Sequence, residues 1–168
     1  SFQGAIKINN LSFNYQKSKE NVLTNINVFI PEGTSLAIVG KVGSGKSTLV
    51  NLLLRLYNPP KNSIYIDEHD IRDIPLKTLR ASVAYVPQDN FLFSSSIKEN
   101  IAFDPNPYQD EQILQAARQA HVYEDIMHLP EKFETELGER GLTLSGGQRQ
   151  RVSIARALIK PSPIIIFD

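Results

Sequence analysis

The sequence reads Gly40-Lys41-Val42-Gly43-Ser44-Gly45-Lys46-Ser47-Thr48 at the junction of two apolar segments. The preceding segment, Leu36-Ala37-Ile38-Val39, predicts a short buried strand. In the following segment the leucines at 49, 52, 53 and 56 recur with the spacing of one helix face. Asn58-Pro59-Pro60 predicts the end of that helix, because proline lacks the amide hydrogen and disfavours helical geometry in its predecessor. The glycine-rich stretch therefore lies between a strand and a helix.

This stretch has the residue types that a phosphate-binding loop requires. Glycines let the backbone approach a ligand in conformations closed to other residues, and successive amides at a helix N-terminus form an anion site. In this pattern Lys46 reaches the β- and γ-phosphates of a nucleotide, and the hydroxyl of Ser47 holds Mg²⁺. The alternative is a glycine-rich turn with no ligand. The flanking strand and helix favour nucleotide binding, which we predict.

The composition is that of one soluble globular domain. The chain has 168 residues, of which 41% are hydrophobic and 21% charged. Its formal net charge of +0 gives no general electrostatic case for binding nucleic acid. It contains no cysteine, so disulfides and thiol chemistry are excluded. No apolar run approaches the roughly 20 residues of a membrane-spanning helix, so we expect a membrane role only through a partner or through further chain.

Short alternating segments predict β structure around the glycine-rich loop. Residues 5–15 and 26–30 alternate apolar and polar side chains, which indicates an antiparallel layer ahead of the loop. Further short strands are predicted at 63–67 and 82–86, and a helical turn at 75–80. Together with the loop and its helix, these strands indicate an α/β fold.

The middle third of the sequence has no strand signal. Helices are predicted at 97–103, 110–121 and 122–128, so we expect a helical subdomain inserted into the α/β core. The predicted organisation is a β layer and loop core at 1–88, the helical subdomain at 89–150, and a return to the core at 151–168.

A second candidate anion site is Leu144-Ser145-Gly146-Gly147-Gln148. A helix is predicted from Gln148 to Ile159, with Ser145 as its N-cap, and the paired glycines leave the helix N-terminus bare. The alternative is a capped helix without a ligand. The chain ends in Ile164-Ile165-Ile166-Phe167-Asp168, an apolar strand with one carboxylate at its tip.

Two further residues have both a structural and a functional interpretation. Tyr15 lies at the end of a predicted strand, and the residues alone favour a tyrosine that packs there. Gln88 follows Pro87 at the carboxyl end of a predicted core strand, where α/β sheets place ligand groups. Its alternative is an ordinary solvated loop glutamine.

Taken together, these residues resemble the nucleotide-binding domain of ATP-binding cassette (ABC) transporters over nearly the whole chain. Gly40–Thr48 matches the Walker A motif, Leu144–Gln148 is identical to the family signature motif, and Ile164–Asp168 matches the Walker B strand. Gln88 stands where the family has its Q-loop glutamine. Tyr15 stands where it has the aromatic that stacks on adenine, and this resemblance reverses the interpretation of Tyr15 as only a packing residue.

The resemblance implies a P-loop ATPase that binds ATP and Mg²⁺. In this family two nucleotide-binding domains close head to tail, and the Walker A loop of one and the signature helix of the other bind the same ATP. Lys46, Gln88 and Asp168 are then the catalytic residues, and Ser47, Gln88 and Asp168 are the metal-site residues. The implied ATP-binding residues are Tyr15, Gly40, Gly43, Ser44, Gly45, Lys46, Ser47, Thr48, Ser145, Gly146, Gly147 and Gln148.

Two segments look like those of exporters of the P-glycoprotein type. They are Glu136–Gly141, a loop that faces the coupling helices of the transmembrane domain in such proteins, and Asp89–Phe93 followed by Ile97–Ile101. The implied partners are a second nucleotide-binding domain, identical or different, and those coupling helices, with no nucleic acid. The implied location is the cytoplasmic face of the membrane. The alternatives are a soluble cassette ATPase and a non-catalytic, regulatory nucleotide-binding module.

The sequence departs from the family pattern at its end. The family's general base is a glutamate directly after the Walker B aspartate, whereas this sequence stops at Asp168, before that glutamate and the switch histidine. In related proteins the strand after Walker B lies between the Walker A and Walker B strands. We therefore expect a fragment in which the C-terminal part of the P-loop core is missing, and which alone is poorly stable and nearly inactive.

Overall fold

The computed structural model describes residues 2–16, 20–103, 107–138 and 143–168. These residues form two compact units, one comprising Ser1–Val83 with Asp168 and the other Ala84–Phe167. Among the helices in the described ranges, none combines the length and the apolar character needed to span a bilayer.

The first unit contains a four-stranded antiparallel sheet in the order β2-β1-β3-β4. Its strands are β1 (Ile6–Phe13), β2 (Leu23–Ile30), β3 (Ile64–Ile66) and β4 (His69–Asp70). The central strand β1 pairs antiparallel with both β2 and β3. The predicted antiparallel layer is confirmed, and it also takes in the strands that follow the glycine-rich loop and its helix.

The alternation along β1 breaks once, and the break keeps one face of the strand apolar. Ile6, Ile8 and Leu11 are all buried, although their spacing changes from two residues to three. The register with β2 shifts between Ile8 and Leu11, and Asn10 has a positive φ of 45°. The Asn10 amide donates instead to Asn27 Oδ1 at 2.8 Å. This bulge absorbs one residue, so Leu11 returns to the buried face.

Helix α1 (Lys46–Leu53) ends earlier than the leucine spacing predicts. Arg55 follows the helix with a φ of 49°, its amide donates to Leu52 O at 3.1 Å, and the Leu56 amide donates to Asn51 O at 2.9 Å. These two hydrogen bonds are a Schellman motif, which ends the helix before the prolines are reached. The expectation that Leu56 shares the buried helix face is wrong, since it is 58% exposed.

The segment Leu36–Val39 is not the buried strand that its sequence predicts. It has no strand assignment, and Leu36, Ile38 and Val39 are 47%, 46% and 94% exposed. Among the described residues, neither sheet pairs with this segment. An apolar run becomes a buried strand only when neighbouring strands bind its amide and carbonyl groups, and that condition is not met here.

The remaining helices and strands follow the predicted order closely. Helix α2 (Leu76–Ser82) belongs to the first unit and leads into β5 (Val83–Val86), which pairs with β6 (Ile164–Phe167). The second unit contains the three helices predicted for the middle of the chain, a 3₁₀ turn and the long helix after the signature motif. Their bounds are α3 (Ile97–Ile101), α4 (Asp110–Gln119), α5 (Tyr123–Met127), the 3₁₀ turn (Lys132–Glu134) and α6 (Gly146–Leu158).

The helical core of the second unit holds α6 in place. Small and β-branched side chains from α3, α4 and α6 are buried together, and alanines at the contacts let the helices approach closely. The buried members of this core include Ile97, Ile101, Ile113, Ala116, Ala117, Val122, Ile126, Val152 and Ala155.

Residues 139–141 of the predicted exporter-like loop lie outside the described residues.

Candidate nucleotide-binding site

The N-terminus of α1 is built from backbone, as a phosphate-binding loop requires. Gly45 is its N-cap, with a φ of 93° in the left-handed region that favours glycine. A Cβ on Gly45 would lie 2.8 Å from Leu23 Cδ2 and 3.0 Å from Val22 O. A Cβ on Gly40 would lie 2.6 Å from Ser44 Oγ. Conformation and close packing both require glycine at 45, and close packing favours it at 40.

Lys46 brings a positive charge to this loop. Its Nζ donates to Gly40 O at 2.8 Å and to Lys41 O at 2.9 Å, so the loop curves around the ammonium group. The first turn of α1 has no acidic side chain to oppose an anion. A phosphate at this helix end would therefore meet free amides, the positive end of the helix dipole and a lysine ammonium.

Tyr15 lies against the same helix. Its hydroxyl is 3.0 Å from Thr48 Oγ1, and its ring contacts Phe13 and Tyr57 edge-on, with centroid distances of 5.3 and 5.0 Å. The structure thus brings Tyr15 to the phosphate loop while it also packs in an aromatic cluster. Stacking on adenine stays a prediction, and it is compatible with this position because the side chain is only half-buried.

The N-terminus of α6 is built differently, from side chains. The hydroxyl of Ser145 accepts from the Gln148 amide at 3.2 Å, and Gln148 Oε1 accepts from the Ser145 amide at 3.0 Å. This reciprocal pair is a capping box. Gly146 and Gly147 follow as the first two helical residues and are exposed. Amides at those positions have no acceptor within the helix, so they remain available to an anion.

Asp125 of α5 lies behind this helix end, and sequence reasoning missed it. Its Oδ1 accepts from Gln148 Nε2 at 3.2 Å, and its Oδ2 accepts from Arg151 Nη2 at 2.8 Å. The hydrogen bond from Gln148, then that from Arg151, lowers the pKa of the Asp125 carboxyl below its usual range. Gln148 and Arg151 lie three residues apart on one helix face, but nothing in the sequence shows which carboxylate that face meets.

Arg156 is a second residue that sequence reasoning missed. Its Nε donates to Asn100 O at 2.6 Å and its Nη1 to Phe91 O at 3.1 Å. The guanidinium also lies over the rings of Phe93 and Phe103, and burial lowers its pKa. Arg156 therefore ties α6 to the segment that follows Gln88.

The candidate metal-site residues fit Mg²⁺ chemistry. Ser47 is the second residue of α1 and is exposed, Asp168 directly follows β6, and Gln88 is exposed in the loop after β5. Within the described ranges, no three His, Cys, Asp or Glu side chains converge. Mg²⁺ is commonly held by one or two protein oxygens together with phosphate and water, so a hydroxyl and a carboxylate suffice.

The candidate site residues are divided between the two units of the chain. Tyr15, the glycine-rich loop and Asp168 belong to the first unit, and Gln88 and the signature motif belong to the second. A glycine-rich loop that carries a lysine and leads into a helix is the feature of a P-loop nucleotide-binding protein.

Comparison with known proteins gives the family. The ABC transporter family matches residues 23–168, and the chain belongs to that family. A solved bacterial Atm1-family ABC exporter with ATP bound superposes with a TM-score of 0.90 at 40% identity, over 98% of this chain and 29% of that one. The fold is that of an exporter-type nucleotide-binding domain, as the sequence predicts.

Curated relatives agree with this assignment. The chain is 46% identical over 166 residues to YgaD of Bacillus subtilis, named as a candidate multidrug export ATP-binding/permease protein. It is 43% identical over 165 residues to the ABC transporter ATP-binding protein y4gM of Sinorhizobium fredii. These matches cover 99% and 98% of this chain but 29% and 28% of the relatives. The chain thus spans less than a third of the length of either protein.

Proposed function

We propose that this chain is the ATP-binding and ATP-hydrolysing motor domain of an ABC exporter at the cytoplasmic face of a membrane. The observation that carries the proposal is the pair of helix N-termini, at Gly45 and Ser145, that are both open to phosphate in one chain. The names of the relatives favour an exporter over a soluble cassette ATPase or a regulatory module.

The residues at α1 have defined roles in this proposal. The amides of Gly43, Gly45, Lys46 and Ser47, together with the Lys46 ammonium, bind and orient the β- and γ-phosphates of ATP, and Tyr15 stacks on the adenine. Ser47 and Asp168 hold Mg²⁺, Asp168 through water. The bound ion neutralises charge on the phosphate oxygens during transfer.

The residues at α6 serve the nucleotide of a second domain. Because Ser145 keeps its hydroxyl hydrogen while its oxygen accepts from Gln148, the side chain can still donate to a γ-phosphate. The amides of Gly146 and Gly147 add two further donors. We propose that two domains, identical or different, close head to tail so that each α6 completes the partner's α1 site.

Coupling to transport involves Gln88 and the residues near it. We propose that Gln88 senses Mg²⁺ and the attacking water, and that the segment after it relays closure to the coupling helices of a transmembrane domain. Arg156 supports this role because it holds Phe91 O against α6. Phe91 and Phe103 are 66% and 59% exposed, which provides an apolar surface for such helices.

The direct test measures Mg²⁺-ATP binding and phosphate release by the intact protein and its Lys46→Ala variant. We expect ATP-dependent phosphate release that the variant loses, because positioning and charge stabilisation supply most of the catalysis of phosphoryl transfer. Lys41→Ala is a matched control, since Lys41 contributes only its carbonyl to the contacts of Lys46. Intact protein that binds Mg²⁺-ATP but releases no phosphate would instead support the regulatory module.

A further inference from the structure

The side chain of Gln148 is turned into its own domain. Its Oε1 accepts from the Ser145 amide at 3.0 Å, and its Nε2 donates to Asp125 Oδ1 at 3.2 Å. Both ends of the amide are therefore engaged by the protein, so the anion-facing groups at this helix end are Ser145 Oγ and the glycine amides. Gln148 itself acts as a clamp on the first turn of α6.

Asp125 and the Ser145 amide together fix the orientation of the Gln148 side-chain amide. An ionised carboxylate only accepts hydrogen bonds, whereas a backbone amide only donates. The NH₂ end of Gln148 must therefore face Asp125, and its carbonyl oxygen must face the amide of Ser145. With an apolar side chain at position 125, the NH₂ end of Gln148 would lose its acceptor, and only the Ser145 amide would still select the orientation.

Arg151 balances the negative charge of Asp125 near the N-terminus of α6. A negative charge near a helix N-terminus that binds phosphate would repel the ligand. The guanidinium of Arg151 lies 2.8 Å from Asp125 Oδ2, and both side chains are 35% exposed, so the pair is partly shielded from water. Asp125 therefore still accepts a hydrogen bond from Gln148, while Arg151, on the same helix, balances its negative charge.

We propose that Asp125 is a positioning residue for the signature helix. It orients the Gln148 amide, which holds Ser145, Gly146 and Gly147 in the geometry that receives the partner's γ-phosphate. This inference rests on the proposed function, because the phosphate that it concerns is that of a bound nucleotide.

The test uses the intact protein with four variants: Asp125→Ala, Asp125→Asn, Gln148→Ala and the double variant Asp125→Ala/Gln148→Ala. Glu124→Ala is the matched control, because Glu124 is the neighbouring acidic residue of α5 and is exposed. For each protein, kcat and KM for ATP hydrolysis, the Kd for Mg²⁺-ATP and the thermal unfolding midpoint are measured. Lys46→Ala reports whether the turnover belongs to this site.

We expect Asp125→Ala to lower kcat/KM about tenfold, the size expected from losing one hydrogen bond to a charged group. The Kd for Mg²⁺-ATP should stay unchanged, because α1 does not involve Asp125. Asp125→Asn keeps one acceptor oxygen but turns its NH₂ group towards either Gln148 or Arg151, which both donate, so it should recover only part of the rate. The double variant should be no worse than Gln148→Ala, because Asp125 acts through Gln148.

Two results would overturn the inference while leaving the proposed function intact. They are an Asp125→Ala rate equal to that of Glu124→Ala, and a double variant whose losses simply multiply. A wild-type protein without Lys46-dependent turnover would overturn the proposed function and this inference together.

Discussion

The two helix ends proposed to bind phosphate, at α1 and α6, are constructed in different ways. The α1 end relies on backbone geometry, with Gly45 in a left-handed conformation and no side chain to cap the helix. The α6 end relies on side chains, with the capping box of Ser145 and Gln148 and with Asp125 behind it. Substitutions of the loop glycines at α1 should therefore abolish ATP binding almost completely. Substitutions at α6 should lower hydrolysis and stability by graded amounts.

The largest expected effect is at Gly45. Gly45→Ala combines a left-handed conformation, which costs roughly 1–2 kcal/mol for a residue with a Cβ, with a 2.8 Å contact to Leu23. We expect Mg²⁺-ATP binding to be lost, as measured by titration calorimetry of the intact protein. Gly43→Ala is the control, since Gly43 has a φ of 82° but no atom within 4 Å of an added Cβ. Equal losses in the two variants would show that the contact with Leu23 is unimportant.

The next effect concerns Tyr15, for which we propose stacking on the adenine base. Tyr15→Leu removes an aromatic face whose stacking on a base is worth about 1–3 kcal/mol, so the Kd for ATP should rise about tenfold. Tyr15→Phe loses only the hydroxyl contact with Thr48 and should bind ATP nearly as wild type does. A Kd that rises equally in both variants would assign the role to the hydroxyl and contradict stacking.

At α6, the capping and anion-binding roles of Ser145 can be separated. Ser145→Ala removes the N-cap acceptor and should cost about 1 kcal/mol in the free energy of unfolding, together with part of the hydrolysis rate. Ser145→Asp keeps a good N-cap but places a negative charge where the γ-phosphate would lie. For Ser145→Asp, denaturant unfolding should therefore give near wild-type stability, whereas phosphate release should show little turnover. Full turnover by this variant would argue against phosphate at α6.

The smallest expected effect is the pH dependence that Asp125 confers. Its folded pKa is lowered below its ordinary value of about 3.9, so its stabilising contribution is present above about pH 4 and is lost as the pH falls through the folded pKa. The basic side chains that act on it are Arg151 of α6 and His128, which directly follows α5.

Urea unfolding at pH 7 and below pH 4 tests this effect. The difference in unfolding free energy between wild type and Asp125→Asn should be present at pH 7 and should shrink at the lower pH. A difference that does not change with pH would mean that the charge on Asp125 contributes nothing to stability.

Much of the fold and of the candidate site could be predicted, because it depends on local pattern. The capping role of Ser145 follows from residues a few positions apart, and so does the helix that begins at Lys46. The end of α1 was misplaced because Arg55 adopts a left-handed conformation that helix periodicity does not reveal.

The remaining differences depend on contacts between distant parts of the chain. Leu36–Val39 has the composition of a buried strand, but burial requires strand partners that a local pattern cannot supply. Asp125 meets Gln148 across 23 residues, because α5 and α6 both pack against α4. Such pairings depend on tertiary packing, so a search for motifs along the sequence does not find them.

The central claim is that α1 of one chain and α6 of another act on the same nucleotide. The most direct test mixes Lys46→Ala and Ser145→Asp subunits of the intact protein, each inactive alone, and measures phosphate release against wild type. Head-to-tail pairing leaves one intact site in each mixed dimer, so about a quarter of the wild-type turnover should return, since half of randomly formed dimers are mixed. If wild type turns over alone and the mixture stays inactive although mixed dimers form, the shared-site account is contradicted.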